Sequence, residues 1–384
     1  MAVTDSLTVT LSNWSNLVLY LAIAVYAVAF ILFTFDLAGR GARPAKTASA
    51  VGATARSREL VGAGVGGGAS EAGRADAGGV DILEAADAGI SSEHIGDAGI
   101  DVRRAGGDAD AGAGTASFST ARANETKWRD RGVTKLLPIA FVVTIAAWAL
   151  HVVATVLRGV AAARVPWSNM FEFSLTASVI IVGVFIFIQL WQDLRFLGAF
   201  ITGFTTLVLG IATIGFYVDV VPLQPALQSV WLVIHVFVAT LSTGFLALGF
   251  GLSVAQLLQQ RREEAVRAGT PTNLGWLTRL PSAERLEDMS FRLNVIGFIF
   301  WTFTLVAGSV WAERAWGRYW GWDTKEVWTF IIWVVYAGYL HARGTRGWRG
   351  SPSAWLSIIG FATVLFNFGI VNVFFKGLHT YSGL

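Results

Sequence analysis

Long apolar stretches, separated by shorter polar ones, dominate this chain. Eight runs stand out, at 17–35, 136–157, 174–190, 196–218, 230–256, 295–312, 327–341 and 354–375. A helix that crosses a bilayer takes about 20 mostly apolar residues. The pattern therefore predicts an all-α polytopic membrane protein with about eight transmembrane helices. The seventh run is short and has the least sharply bounded ends. The first has no basic stretch before it and no small-residue cleavage site after it, which marks a retained span rather than a signal peptide.

Between the first two runs the pattern stops. The stretch is rich in Ala, Gly and Asp, with GAGVGGGAS and GGDADAGAGTAS inside it. Such a composition buries too little apolar surface to offset the entropy of ordering. Three regions follow: an N-terminal transmembrane helix at 1–36, a disordered cytoplasmic linker at 37–126, and one helical membrane domain at 127–384. His94 reads as a solvated linker histidine. No repeat of fixed period is present.

Composition supports the membrane reading. The chain is 54% hydrophobic and 14% charged, against about 25% charged in soluble domains. The lipid bilayer is thus its first partner, and nothing points to nucleic acid. With no cysteine, it has no disulfide, no thiol nucleophile and no covalently attached haem of its own. Lys and Arg concentrate in cytoplasmic loops. The linker and the loops at 191–195, 257–294 and 342–353 hold 23 of the 29, and the opposite loops hold 6. Without the linker the split is 10 to 6. This places both termini outside, N-out and C-out, together with the segment between the sixth and seventh runs.

That outward segment, WGRYWGWDTKEVW at 316–328, carries Trp316, Trp320, Trp322 and Trp328. One or two tryptophans at such a place form an interfacial belt. Here they alternate with Gly317 and Gly321. If helical, Trp316 and Trp320 share a face, and so do Trp311 and Trp322. The arrangement fits a belt or a platform for a large planar ligand, whose carboxylates Arg314, Arg318 and Lys325 are placed to meet. His235, in WLVIHV, and His379, in GLHTYSG, lie on the same side. Each is either a packing residue or a functional one. As a pair at one depth they suit bis-histidine ligation of a haem iron. His341 lies at the inner end of the seventh run, either capping a helix C-terminus or ligating a second haem. His151, in the second run, reads as packing. In RVPWSNMFEFS, Pro166 suits a helix start. Asn169 and Glu172 are either capping and exposed, or a polar wall of the outer site.

The run WGRYWGWDTKEVW resembles the WWD signature of the haem-handling membrane proteins of cytochrome c biogenesis. VPWSNMFEFS, WLVIHV, YLHARGTRGWRG and GLHTYSG are similar to one branch, the CcsA/ResC subunits of the System II cytochrome c synthase. The resemblance covers roughly 135–384. It implies a cytochrome c assembly domain in the plasma membrane, with its active site on the extracytoplasmic face. It implies that His235 and His379 ligate haem b, held in transit and non-covalently. Trp316, Trp320, Trp322, Asp323 and Trp328 then fall on the segment that holds the haem edge and its vinyl groups. His341 matches the transmembrane histidine of a second haem site, whose other ligand comes from a ResB/Ccs-type partner. The implied role is that of a haem lyase subunit without a catalytic side chain of its own. It presents haem to the CxxCH cysteines of apocytochrome c, which a thiol-reducing partner keeps reduced. Two other functions fit the same residues. One is a haem transporter or relay that delivers to a chaperone. The other is a b-type electron-transfer cytochrome, which needs histidine pairs at both depths.

Overall fold

The computed structural model describes residues 2–41, 135–221, 223, 227–345 and 347–379. Most of the linker expected at 37–126 lies outside the described residues. Eight long helices and no strand occur among those described: α1 (Ala2–Gly41), α2 (Leu136–Ala162), α3 (Met170–Ile188), α4 (Gly198–Gly215), α5 (Val230–Arg267), α6 (Ala283–Trp316), α7 (Thr324–Gly344) and α8 (Ser351–Leu365). The last continues through a π-turn at Phe366–Val371 into Asn372–Phe374.

Polar side chains set the starts. Ser229 caps α5 and Ser282 caps α6, each hydroxyl accepting a first-turn N–H. Asn169, rather than Pro166, sets the start of α3, its Oδ1 accepting from the Glu172 N–H at 2.9 Å. Asp323 starts α7 in a capping box with Glu326.

Among the described residues, seven helices are long and apolar enough to span a membrane, one fewer than the eight expected. The exception is α7, whose 21 residues include Lys325, Glu326, His341 and Arg343. It nevertheless runs the full depth of the bundle. At its start, Asp323 bonds His379 beyond the end of α8. At its end, Arg343 pairs at 2.7 Å with Glu287 in the first turns of α6. It packs on α6 and α8 through Ile332, Tyr336 and Tyr339.

In lipid, helices associate through close packing and interhelical hydrogen bonds rather than by escape from water. The α5–α6 pair follows this rule. Ser242 donates to the Gly297 carbonyl at 2.6 Å, and Ser290 to the Gly249 carbonyl at 2.9 Å. Helix α1 is an integral part of the bundle. Leu19, Ala22, Tyr26, Ala29 and Phe33, spaced three and four apart, are all buried on a face turned to α2 and α4. The chain is a multi-pass membrane protein with the start of α1, the ends of α2 and α4, and the starts of α3 and α5 at one end. The ends of α6 and α8 and the start of α7 join them there.

Candidate functional site

At that end the sixth helix stops where glycine lets it. Gly317 adopts φ 70° and returns its N–H to the Glu313 carbonyl at 2.7 Å, a left-handed cap. The chain then turns, with the Gly321 and Asp323 N–H groups both donating to Glu326 Oε2 at 2.8 and 3.0 Å. Trp316 and Trp320 therefore share no helix face, and neither do Trp311 and Trp322, because the segment between the caps is a loop. Trp322 sits at φ 59°, a conformation that costs a non-glycine residue about 1–2 kcal/mol. Its indole is 75% exposed.

The loop and the surrounding helices bring the two outer histidines together. His235, on the second turn of α5, reaches the Thr304 carbonyl of α6 through Nδ1 at 3.0 Å. A carbonyl only accepts, so Nδ1 carries the proton and Nε2 presents a lone pair. His379 does the same with a different partner, its Nδ1 lying 2.8 Å from Asp323 Oδ2. An imidazole whose one nitrogen donates to a carbonyl or carboxylate is oriented for metal ligation by the other. Asp323 also accepts the Leu378 N–H at 3.0 Å. The hydrogen bond from His379, opposed by burial and helped by the Leu378 N–H, holds the Asp323 carboxyl below its usual range.

Trp311 lies against both imidazoles. It stacks on His235, with centroids 5.9 Å apart and planes at 13°, and meets His379 edge-on at 5.4 Å. Trp316 completes the cluster, 4.8 Å from Trp311 and 4.9 Å from His379. Gly308 keeps room for the His235 ring, since a Cβ there would sit 2.8 Å from Cε1.

Two adjoining hollows share His235, Thr304, Trp311, Lys325, Thr329 and His379 on their walls. The larger, about 770 Å³, extends toward α3 and α8; the smaller, about 490 Å³, extends toward Tyr319 and Trp320.

Of the expected site residues, His235, His379, Trp316, Trp320 and Asp323 converge here. Trp322 stands at the rim, edge-on to Trp320 at 5.8 Å. Trp328 lines neither hollow; it packs on Phe366 of the π-turn at 4.3 Å. Of the three basic residues, only Lys325 reaches the walls. Arg318 folds over Gly321, and Arg314 is exposed. His341 is exposed in the last turn of α7, at the opposite end of the bundle. His151 is fully buried, 3.4 Å from the Tyr26 hydroxyl of α1, a packing position.

Glu172 is not the exposed carboxylate that was one expectation. It is fully buried and paired with Arg158 at 3.2 Å and Arg164 at 2.6 Å. Arg158, also fully buried, reaches Ser12 of α1 and the Val218 carbonyl. Sequence reading missed Arg158 as a structural residue, although an arginine inside an apolar run was the signal. It missed Asn367 as well, a buried asparagine in the apolar run FNFGIV.

Residues 167–379 match the family model described as "Cytochrome C assembly protein", a region that contains every side chain of the two hollows. "Cytochrome c biogenesis protein CcsA" of Trieres chinensis is 32% identical over 252 residues, covering 59% of this chain and 81% of the relative. The protein of that name from Guillardia theta is 34% identical over 232 residues, 57% of this chain and 77% of the relative. That from Parasynechococcus marenigrum is 40% identical over 176 residues, 42% and 58% of the two chains. The chain belongs to the cytochrome c assembly protein family.

Proposed function

We propose that this cytochrome c biogenesis protein carries haem b as cargo between His235 and His379. With a ResB/Ccs-type membrane subunit, it presents that haem to apocytochrome c. The observation that supports this reading most is the shared state of the two imidazoles. Each spends Nδ1 on a fixed acceptor and turns Nε2 free, from chain positions far apart, on the wall of one shared hollow. That donor set fits a haem iron with two axial nitrogens.

The chemistry asked of this chain is positioning. Each CxxCH cysteine adds its S–H across a haem vinyl double bond. The sulfur takes the carbon next to the ring, and the proton takes the terminal carbon. No nucleophile from the synthase is needed, in keeping with a chain that has no cysteine. Holding the iron by two neutral imidazoles, with Trp316 and Trp320 beside it, makes the encounter nearly intramolecular. The reactivity belongs to the cofactor and the substrate thiols, which a thiol-reducing partner supplies in reduced form. This makes the chain a subunit of a haem lyase.

The excess of Lys and Arg in the loops at the other end supports placing the histidine end on the extracytoplasmic face of the plasma membrane. His341, exposed at the cytoplasmic end, suits a second haem site completed by the partner. Among the described residues no second histidine lies at that end, which disfavours a b-type electron-transfer pair within the chain.

The test is co-expression with the partner subunit and a CxxCH cytochrome. Replacing either His235 or His379 by Ala lowers covalent haem yield by about tenfold or more, the scale seen when metal-site groups are lost, at unchanged protein level. Unchanged thioether yield with haem export intact would instead favour the relay.

A further inference from the structure

The wall of the larger hollow facing α3 and α8 carries polar groups that the fold leaves unsatisfied. Asn367 is completely buried, and neither its Nδ2 nor its Oδ1 has a hydrogen-bond partner. Asn169 is 6% exposed. Its Oδ1 is spent on capping α3, which settles the orientation of the amide and leaves Nδ2 unpartnered. Lys325 donates to Asn372 Oδ1 at 2.6 Å and to the Asn367 carbonyl at 3.1 Å, which leaves one N–H of its three. Its ammonium rests 4.7 Å from the centre of the Phe368 ring. Among the described residues, no carboxylate lies within ion-pair distance of it.

All three side chains line the hollow that His235 and His379 share. Asn367 lies in the π-turn of α8, a widened turn of the kind often found at functional sites. A buried cation that makes no direct ion pair and two buried amides with unpartnered Nδ2 groups are costly in a low-dielectric interior. An interhelical lock explains Lys325 on Asn372, but not the idle amide of Asn367 or that of Asn169. One anionic, oxygen-rich group in the hollow accepts from the Lys325 ammonium and from both Nδ2 groups at once.

We infer that Lys325, Asn367 and Asn169 form a carboxylate subsite that receives a propionate of the porphyrin ligated by His235 and His379. The inference rests on the haem reading above and adds an orientation to it. The propionate edge faces α3 and α8. The vinyl edge, on the far side of the ring, faces the loop of Tyr319 and Trp320, where substrate thiols arrive from water.

The test uses the purified full-length chain in detergent, titrated with haem b and with its dimethyl ester and followed by the Soret band. The wild-type protein binds the free acid more tightly than the ester by about tenfold or more, the scale of one charge-assisted hydrogen bond. In Lys325→Met and in Asn367→Leu that preference falls toward unity, while ester affinity and the bis-histidine bands stay as in the wild type. Asn367→Asp keeps the side-chain size and also abolishes the preference, because it puts a carboxylate beside Lys325 and repels the propionate. An equal loss of acid and ester binding in the variants would mean a structural role only and overturns the subsite. So does a wild-type protein that does not distinguish acid from ester. Bis-histidine bands absent with both ligands would overturn the haem reading itself, and the subsite with it.

Discussion

His379 and Asp323 stand 56 residues apart and meet at 2.8 Å. The histidines themselves were legible in the sequence, because an ionisable residue beside an apolar run is costly and therefore informative. Their partners were not. Asp323 reads locally as part of a tryptophan motif, and only the folded chain shows it as both the N-cap of α7 and the acceptor for His379. Trp311 was likewise read only as a possible face-mate of Trp322 until the fold set it against both imidazoles. The bond to His379 makes a prediction about pH. The folded carboxyl lies below its ordinary 3.8. A depressed folded value contributes stability above the unfolded value, and that stability disappears as pH falls through the folded one. Asp323→Asn keeps an equally good N-cap and removes only the charge-assisted part of the bond. The variant should be less stable than the wild type by about 1.5 kcal/mol through pH 5–7. The gap should close only below pH 3.8, read as thermal unfolding in detergent at each pH. A gap that persists undiminished well below pH 3.8 would contradict the assignment.

At the scale of elements, periodicity and caps recovered most of the architecture. The eight apolar runs all lie on helices, with ends displaced where polar turns extend past the bilayer, as in α5 and α6. Two features escaped. The Trp spacing left segment 317–323 open to a helical reading, but the left-handed cap at Gly317 and the capping box at Asp323 enclose a loop between two helices. Arg158 was not singled out and Glu172 read as exposed or as a wall of the outer site, yet they join α1, α2 and α3 beside the hollows. A buried carboxylate between two guanidiniums is costly to break from one side. Glu172→Ala should therefore lower unfolding stability by about 3–5 kcal/mol. Glu172→Ala combined with Arg158→Met should cost less than Glu172→Ala alone, since fewer buried charges are left uncompensated. Thermal unfolding in detergent measures both. A single variant as stable as the wild type would show that the cluster is solvated and plays no part in joining the helices.

Across the whole molecule, the site draws one or two side chains from each of several distant segments. His235 comes from α5, Trp311 and Trp316 from the end of α6, Lys325 from α7, and Asn367 and His379 from α8 and just beyond. No local motif contains that set, so the sequence alone showed its ingredients and their common side of the membrane but not their contacts. The central claim is that His235 and His379 ligate one iron, and axial ligation reports on it directly. Purified full-length protein loaded with haem b should show a low-spin, six-coordinate bis-histidine spectrum. His235→Gly and His379→Gly should each lose it, and added imidazole should restore it by supplying the missing nitrogen. His151→Gln should leave the spectrum unchanged, because His151 packs against Tyr26 and lines neither hollow. A His379→Gly protein that keeps the full bis-histidine spectrum without imidazole would contradict the account.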